Sequence, residues 1–290
     1  MIIKTDIREK AMTVQFNSKC WTARKFDKAA TAKHNQDQGA DADASRINKL
    51  LIPKSIIDGP VKARQHAQHK IHDHLTSKWA SRGVNILKAT IYEDYATQMS
   101  QAEESFWQAV DTFMVRYQLF YDNLYEKGPE RMGGMYDRKD YPTPAEVKRK
   151  FTFKVHYSPI SHSSDWRIGG LSSEETQKLA AAVAEREREL LAGAMREVWG
   201  RLHKVVGKVV ETLGNTDKIF RDTLIGNVVD LCNILPDLNL EDDPDLEDLR
   251  KQVERSIGSL DPSILREDPE LRKEAAKDAK EILDKMGGYF

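Results

Sequence analysis

The chain has 290 residues, 40% of them hydrophobic and 31% charged, with a net charge of −1. That apolar content supplies a real core, and sparse glycine (16) and proline (10) disfavour an all-β or low-complexity chain. No apolar run approaches the roughly 20 residues that span a bilayer. Residues Met1 to Asp6 lack the apolar core of a secretion signal, and Cys20 and Cys232 are too few for a disulfide framework, so a cytoplasmic protein is expected.

The near-neutral total conceals a gradient. Residues 1–90 carry 17 Lys and Arg against 8 Asp and Glu, with five of the eight histidines. Residues 91–234 carry 19 against 22, and residues 235–290 carry 9 against 16. A basic head and an acidic tail suit a polyanion-binding end or head-to-tail contacts between subunits, and also an ordinary solvated surface.

Met12, Val14 and Phe16 alternate within residues 11–17, which predicts a short strand. Residues 33–44 are polar and aperiodic and read as a mobile loop. Asp58-Gly59-Pro60 opens a helix expected to run to about Ser81, ended by Gly83. From Ala102 the apolar positions Phe106, Val110, Phe113, Tyr117, Phe120 and Leu124 follow in steps of three and four. This spacing predicts a long helix over about 88–126 that stops before Gly128-Pro129. Ser172 and Glu175 form a capping box for a second long helix, lined by Val183, Leu190, Ala194, Val198, Leu202, Val205, Val209 and Leu213 and ended at Gly214. Two such stripes are expected to cover each other as an antiparallel hairpin.

Between them, Thr143-Pro144-Ala145-Glu146 starts a short helix, and Phe151, Phe153, Val155 and Tyr157 alternate as a half-buried strand. A lone strand needs a partner, and residues 11–17 are the expected one. A helix follows over Thr216 to Leu235. Asp243-Pro244, Asp261-Pro262 and Asp268-Pro269 then divide the acidic tail into helices, and Gly287-Gly288 carries Tyr289 and Phe290. The expected fold is mainly α: a long antiparallel helical hairpin with additional short helices and a small two-stranded β element. Its parts are a basic region over 1–87, the hairpin over 88–235 with a β insertion at 128–171, and an acidic helical tail over 236–290.

No phosphate-binding loop is present, since Gly133-Gly134 and Gly169-Gly170 lack the spacing and the Lys-Ser/Thr that reach phosphates. Neither cysteine stands in a nucleophile context. On a helix His66, His69 and Asp73 meet on one face and would suit zinc, but Lys62 shares that face and opposes a cation. The alternatives are a solvated polar face and a protonatable face for a polyanion, on which His66, His69 and His72 add charge in mild acid. The aromatic series of the first long helix reads as core rather than as base-stacking platforms, with Trp107 and Tyr121 beside the stripe as partner contacts. Glu241-Asp242-Asp243-Pro244-Asp245 lacks the glycine and distal glutamate of a calcium loop and reads as a helix cap.

The order of several short motifs resembles an uncharacterised family of phage and prophage proteins. The residues are Trp21-Thr22-Ala23-Arg24-Lys25, Leu51-Ile52-Pro53, Gly133 to Asp140-Tyr141-Pro142, Phe151-Thr152-Phe153 and Trp199-Gly200-Arg201-Leu202, spanning residues 20–240. The resemblance implies a non-enzymatic phage protein that works with replication and recombination partners, among them a ring-forming ATPase, and it brings no catalytic residue.

The expected function is therefore non-catalytic binding of nucleic acid, single-stranded DNA without sequence preference, by an oligomer. Arg24, Lys25, Lys62, Arg64, His66, His69, Lys70 and Lys78 would meet the phosphates; Trp107, Tyr121, Tyr289 and Phe290 would meet other copies or phage and host replication proteins. No cofactor, metal or membrane is expected. The competing readings are a protein–protein adaptor that touches no nucleic acid and a metal-dependent enzyme using the His66 helix.

Overall fold

The computed structural model describes residues 6–162, 172–215 and 218–287. Helices dominate. In chain order they are α1 (Ile7–Lys10), α2 (Lys28–Asp37), α3 (Lys54–His66), α4 (Asp73–Leu75), α5 (Tyr92–Asp122), α6 (Leu124–Met132), α7 (Pro144–Lys148), α8 (Ser173–Leu213), α9 (Thr223–Leu238), α10 (Pro244–Val253), α11 (Pro262–Glu267) and α12 (Pro269–Met286). The strands are β1 (Ala11–Lys19), β2 (Arg24–Phe26), β3 (Asn48–Leu50), β4 (Ser77–Ala80), β5 (Val84–Lys88) and β6 (Thr152–Ser158). The chain folds as two compact units, the first from residues 1–15, 73–95 and 156–290, the second from 16–72 and 96–155.

β4, β5, the start of β1 and the end of β6 belong to the first unit, in a four-stranded sheet of order β4-β5-β1-β6. The expected pairing of the N-terminal strand with the strand after Phe151 is present, since β1 adjoins β6 and Thr13 Oγ1 donates to the Ser158 carbonyl at 2.9 Å. Two further strands were not expected. The helix predicted to reach Ser81 ends at Leu75, and β4 and β5 follow as an antiparallel hairpin on the other side of β1. The hairpin turns through Arg82 and Gly83, at φ +63° and +75°. Two left-handed residues in succession match the twist of paired strands, so Gly83 marks a hairpin turn and not a helix end.

The long helix α8 opens on the expected capping box, with Glu175 N–H donating to Ser172 Oγ at 3.2 Å and Ser172 N–H to Glu175 Oε2 at 2.9 Å. Its buried face (Val198, Leu202, Val206, Val209, Leu213) packs on α12, α9 and β4. Arg272 at the start of α12 meets the end of α8, and Leu283 near the end of α12 lies 3.9 Å from where a side chain at Gly207 would begin. The two helices are therefore antiparallel. Ala275, Ala276 and Ala279 line this contact and let the axes approach closely.

The acidic C-terminal segment is structural. Asp243, Asp261 and Asp268 cap α10, α11 and α12 as predicted, each followed by proline. Asp242 accepts from Lys10 and Lys88, and Trp199 Nε1 donates to Asp243 at 3.2 Å.

In the second unit the stripe on α5 (Phe106, Val110, Phe113, Tyr117) is buried, as the spacing predicts. Its cover differs from the expected long hairpin. Trp21 stands 5.2 Å from Tyr117, and Phe151 and Phe153 stand 5.3 and 5.4 Å from Phe113 and Phe106. The α5 stripe is thus filled by aromatic residues of its own unit, while α8 takes α12 as its antiparallel partner. A 3–4 repeat reports that one helix face is covered, but not by what.

Two local expectations also change. Residues 33–44, read as a loop, contain the end of α2, which lacks an apolar face and so escapes a periodicity test. The predicted stop before Gly128-Pro129 is also absent: a break at Asn123 is followed by α6, which runs through both residues. A Cβ on Gly128 would overlap the Tyr136 ring, so glycine is needed there for packing. Among the described residues no helix is long and apolar enough to cross a membrane.

Candidate nucleic-acid interface

Charge divides between the units. The second holds 20 Lys and Arg against 14 Asp and Glu, and the first 25 against 32. Seven of the eight residues expected to meet phosphates belong to the second unit; Lys78 is an exposed strand position in β4 of the first.

Five of the seven lie on α3 and the π-helical turn that continues it over Ala67–His72. Lys62, His66 and Lys70 are exposed at four-residue steps, and His69 is exposed beside them. On an α-helix each i, i+4 step drifts by about 40°, because the turn holds 3.6 residues. The wider π-turn advances fewer degrees per residue and takes this drift back, so Lys70 stays in line with Lys62. The same turn changes the spacing on which the His66, His69 and Asp73 alignment depended. Among the described residues no group of three or more His, Cys, Asp or Glu is placed to hold a metal. His72 is buried, 5.8 Å from the Phe16 ring, and so is no part of the exposed basic face. Arg64 is half-buried and interacts with Cys20, whose thiol is pushed up to about 11 by burial, with the Arg64 charge acting the other way.

Arg24 and Lys25 stand on β2, which pairs with β3 as a separate two-stranded ribbon in the register Arg24↔Leu50, Lys25↔Lys49, Phe26↔Asn48. Residues directly opposite share a face and neighbours along a strand alternate. Lys25 and Lys49 therefore share one face, where Asp140 reaches both, at 3.8 and 2.5 Å, and Asp27 lies 3.9 Å from Lys49. The carboxylates offset the repulsion of two opposed lysines. Arg24 and Phe26 occupy the other face, and the Arg46 guanidinium lies 4.6 Å from the centre of the Phe26 ring. Neither Phe26 nor Arg46 was singled out from the sequence; an aromatic two residues after an arginine on a three-residue strand is a weak signal.

No protein-family model matches this chain, and no curated protein or solved structure does either.

The expected partner contacts are placed as follows. Trp107 is half-buried and its Nε1 donates to Glu103 at 3.4 Å. Tyr121 is half-buried beneath the Arg138 guanidinium, 4.4 Å from the ring centre. Tyr289 and Phe290 lie outside the described residues. A different set of apolar side chains is open: Val115 (65% exposed) and Leu119 on the outer face of α5, and Tyr125 (78% exposed) on α6. Val115 and Leu119 fall opposite the buried stripe, which is why the core pattern did not select them.

Proposed function

We propose that this protein is non-catalytic, oligomerises, and binds nucleic acid through the basic surface of its second unit, without sequence preference and with single-stranded DNA as ligand. The observation that carries this reading is the row Lys62, His66, Lys70, exposed on one line of α3 and its π-turn. A four-residue step on α3 places Lys62 and His66 about 6 Å apart along the axis, and Lys70 extends the line, so that an anionic backbone can follow it. The ordered-motif resemblance to phage proteins supports a role in replication or recombination.

Fluorescence anisotropy of a labelled oligonucleotide, titrated across salt, tests the proposal. Engaging four to six phosphates on a single strand gives a log–log salt slope of about −3 to −4. A Lys62/His66/Lys70→Ala variant should bind more weakly and with a shallower slope. A flat salt response, or an unaffected variant, refutes the assignment of this surface.

A second reading is a protein adaptor, for example for a ring-forming ATPase, and Val115, Leu119 and Tyr125 favour it as an open apolar set. Absence of oligonucleotide binding at low salt transfers the case to that reading. Light scattering with and without oligonucleotide reports the oligomeric state in either case.

A further inference from the structure

The two faces of the β2–β3 ribbon carry their basic side chains in opposite ways. On one face Lys25 and Lys49 are held by Asp140 and Asp27. On the other, Arg24 and Arg46 stand beside Phe26, and neither arginine has a carboxylate partner among the described residues. Phe26 remains 39% exposed although Arg46 lies against its ring.

A single exposed phenylalanine is ordinary on a protein surface. One with Arg46 against its ring and Arg24 two residues before it on the same face of a braced ribbon is a more specific arrangement. The bracing is polar: Thr31 Oγ1 donates to the Asp27 carbonyl at 2.7 Å and accepts from Ile47 N–H at 3.0 Å, and Asn35 Nδ2 donates to the Ala42 carbonyl at 2.9 Å. Thr31 and Asn35 are both buried, so α2 and the segment after it fix the approach to β3. The Phe26 and Arg46 side chains supply none of these bracing hydrogen bonds.

From this we infer that the outer face of the ribbon is a stacking site for one unpaired nucleobase, with Arg24 and Arg46 meeting the phosphates on either side. The inference rests on the nucleic-acid reading above and names which part of the ligand this surface takes. Its chemistry fits an anionic chain bearing flat π-systems: the ring offers a stacking face, and the arginines offer cations and planar donors. An apolar protein segment fits less well, because Arg46 lies against the ring, Arg24 and Asn48 share its face, and Leu50 is the other apolar side chain there.

The test compares a thymidine oligonucleotide with an abasic oligonucleotide of equal length, which keeps the phosphates and removes the bases. Wild type should prefer the thymidine strand by about tenfold to a hundredfold. Phe26→Ala should lose that preference while keeping its affinity for the abasic strand. Phe26→Trp should keep the preference and show fluorescence quenching on binding beyond that of wild type. Phe26→Leu preserves apolar volume without the π-face, and should behave as Phe26→Ala with an unchanged melting curve. If wild type binds both strands with the expected salt slope and shows no preference, or if Phe26→Leu retains it, the stacking site is wrong and the basic surface stands. If wild type binds neither strand at low salt, both readings fall together.

Discussion

The guanidinium of Arg272 closes the C-terminus of α8, donating from Nε to the carbonyl of Leu213 at 3.2 Å. Its Nη2 reaches the carbonyls of Thr212 at 3.0 Å, Lys218 at 2.8 Å and Asn215. The last carbonyls of a helix have no partner within it, and here a side chain from the antiparallel helix supplies the donors. The cation also lies 5.2 Å from the centre of the Phe220 ring.

Arg272 is only 7% exposed, so its loss strands buried acceptors. Arg272→Ala is expected to destabilise the first unit by about 3 kcal/mol, from several carbonyls at ~1–3 kcal/mol each with partial relief by water. Arg272→Lys should recover only part, because an ammonium cannot reproduce the planar fork. Denaturant unfolding measures both; a loss near zero in Arg272→Ala would show that the carbonyls find other donors.

The α5 stripe gives a second prediction. Phe113 is 1% exposed and its ring lies 5.3 Å from Phe151. Phe113→Ala should cost about 3–5 kcal/mol. A double-mutant cycle with Phe151→Ala should give a coupling of about 0.5–1.5 kcal/mol, since the rings touch directly. Strict additivity would mean that Phe151 does not cover this part of the stripe.

A third concerns β1, which is an inner strand with β5 on one side and β6 on the other. Its pairing to β5 runs from Ala11↔Lys88 to Gln15↔Val84. Deleting residues 1–17 therefore removes the middle of the sheet and leaves backbone groups of two strands without partners. The truncated protein should lose cooperative unfolding in circular dichroism, and the amides of residues 84–88 should lose their protection in hydrogen exchange. A cooperative transition at an unchanged temperature would contradict the sheet order.

The fourth is a pH dependence. Lys10 donates to Asp242, and this contact, with the Lys88 charge, holds the carboxyl below its usual range despite opposing desolvation. A carboxyl depressed in the folded state stabilises above its unfolded pKa, near 3.9, and that contribution is lost as pH falls through the folded value. The side chain is 58% exposed, so the contribution is below about 1 kcal/mol. Asp242→Asn should lower stability slightly at pH 7 and flatten its decline in acid, measured by urea unfolding between pH 7 and pH 3. An identical acid profile in both proteins would remove this ion pair from the account.

Much of the local structure was legible in the residues themselves. The capping boxes at Thr143 and Ser172, the Asp-Pro caps of α10 to α12, the buried line from Phe106 to Tyr117 and the alternation that marks β1 and β6 all follow from short-range chemistry. A cap needs a hydroxyl or carboxylate within three residues of a free N–H, and a buried face needs apolar side chains at the period of its element.

What only the tertiary structure decided was which surfaces meet. The stripes on α5 and α8 are alike in spacing, yet one is filled by Trp21, Phe151 and Phe153 and the other by α12, because hydrophobic burial is non-directional and accepts any complementary surface. The β4–β5 hairpin was hidden for a related reason: neither Ser77–Ala80 nor Val84–Lys88 alternates strictly between apolar and polar residues, and pairing with β1 settles the matter. The candidate interface divides along the same line. Lys62, His66 and Lys70 were readable as a basic helix face, while the π-turn that keeps them aligned was not. The outer face of the ribbon was equally hidden, because Phe26 and Arg46 are twenty residues apart in sequence and only the β2–β3 register and its polar bracing bring them together.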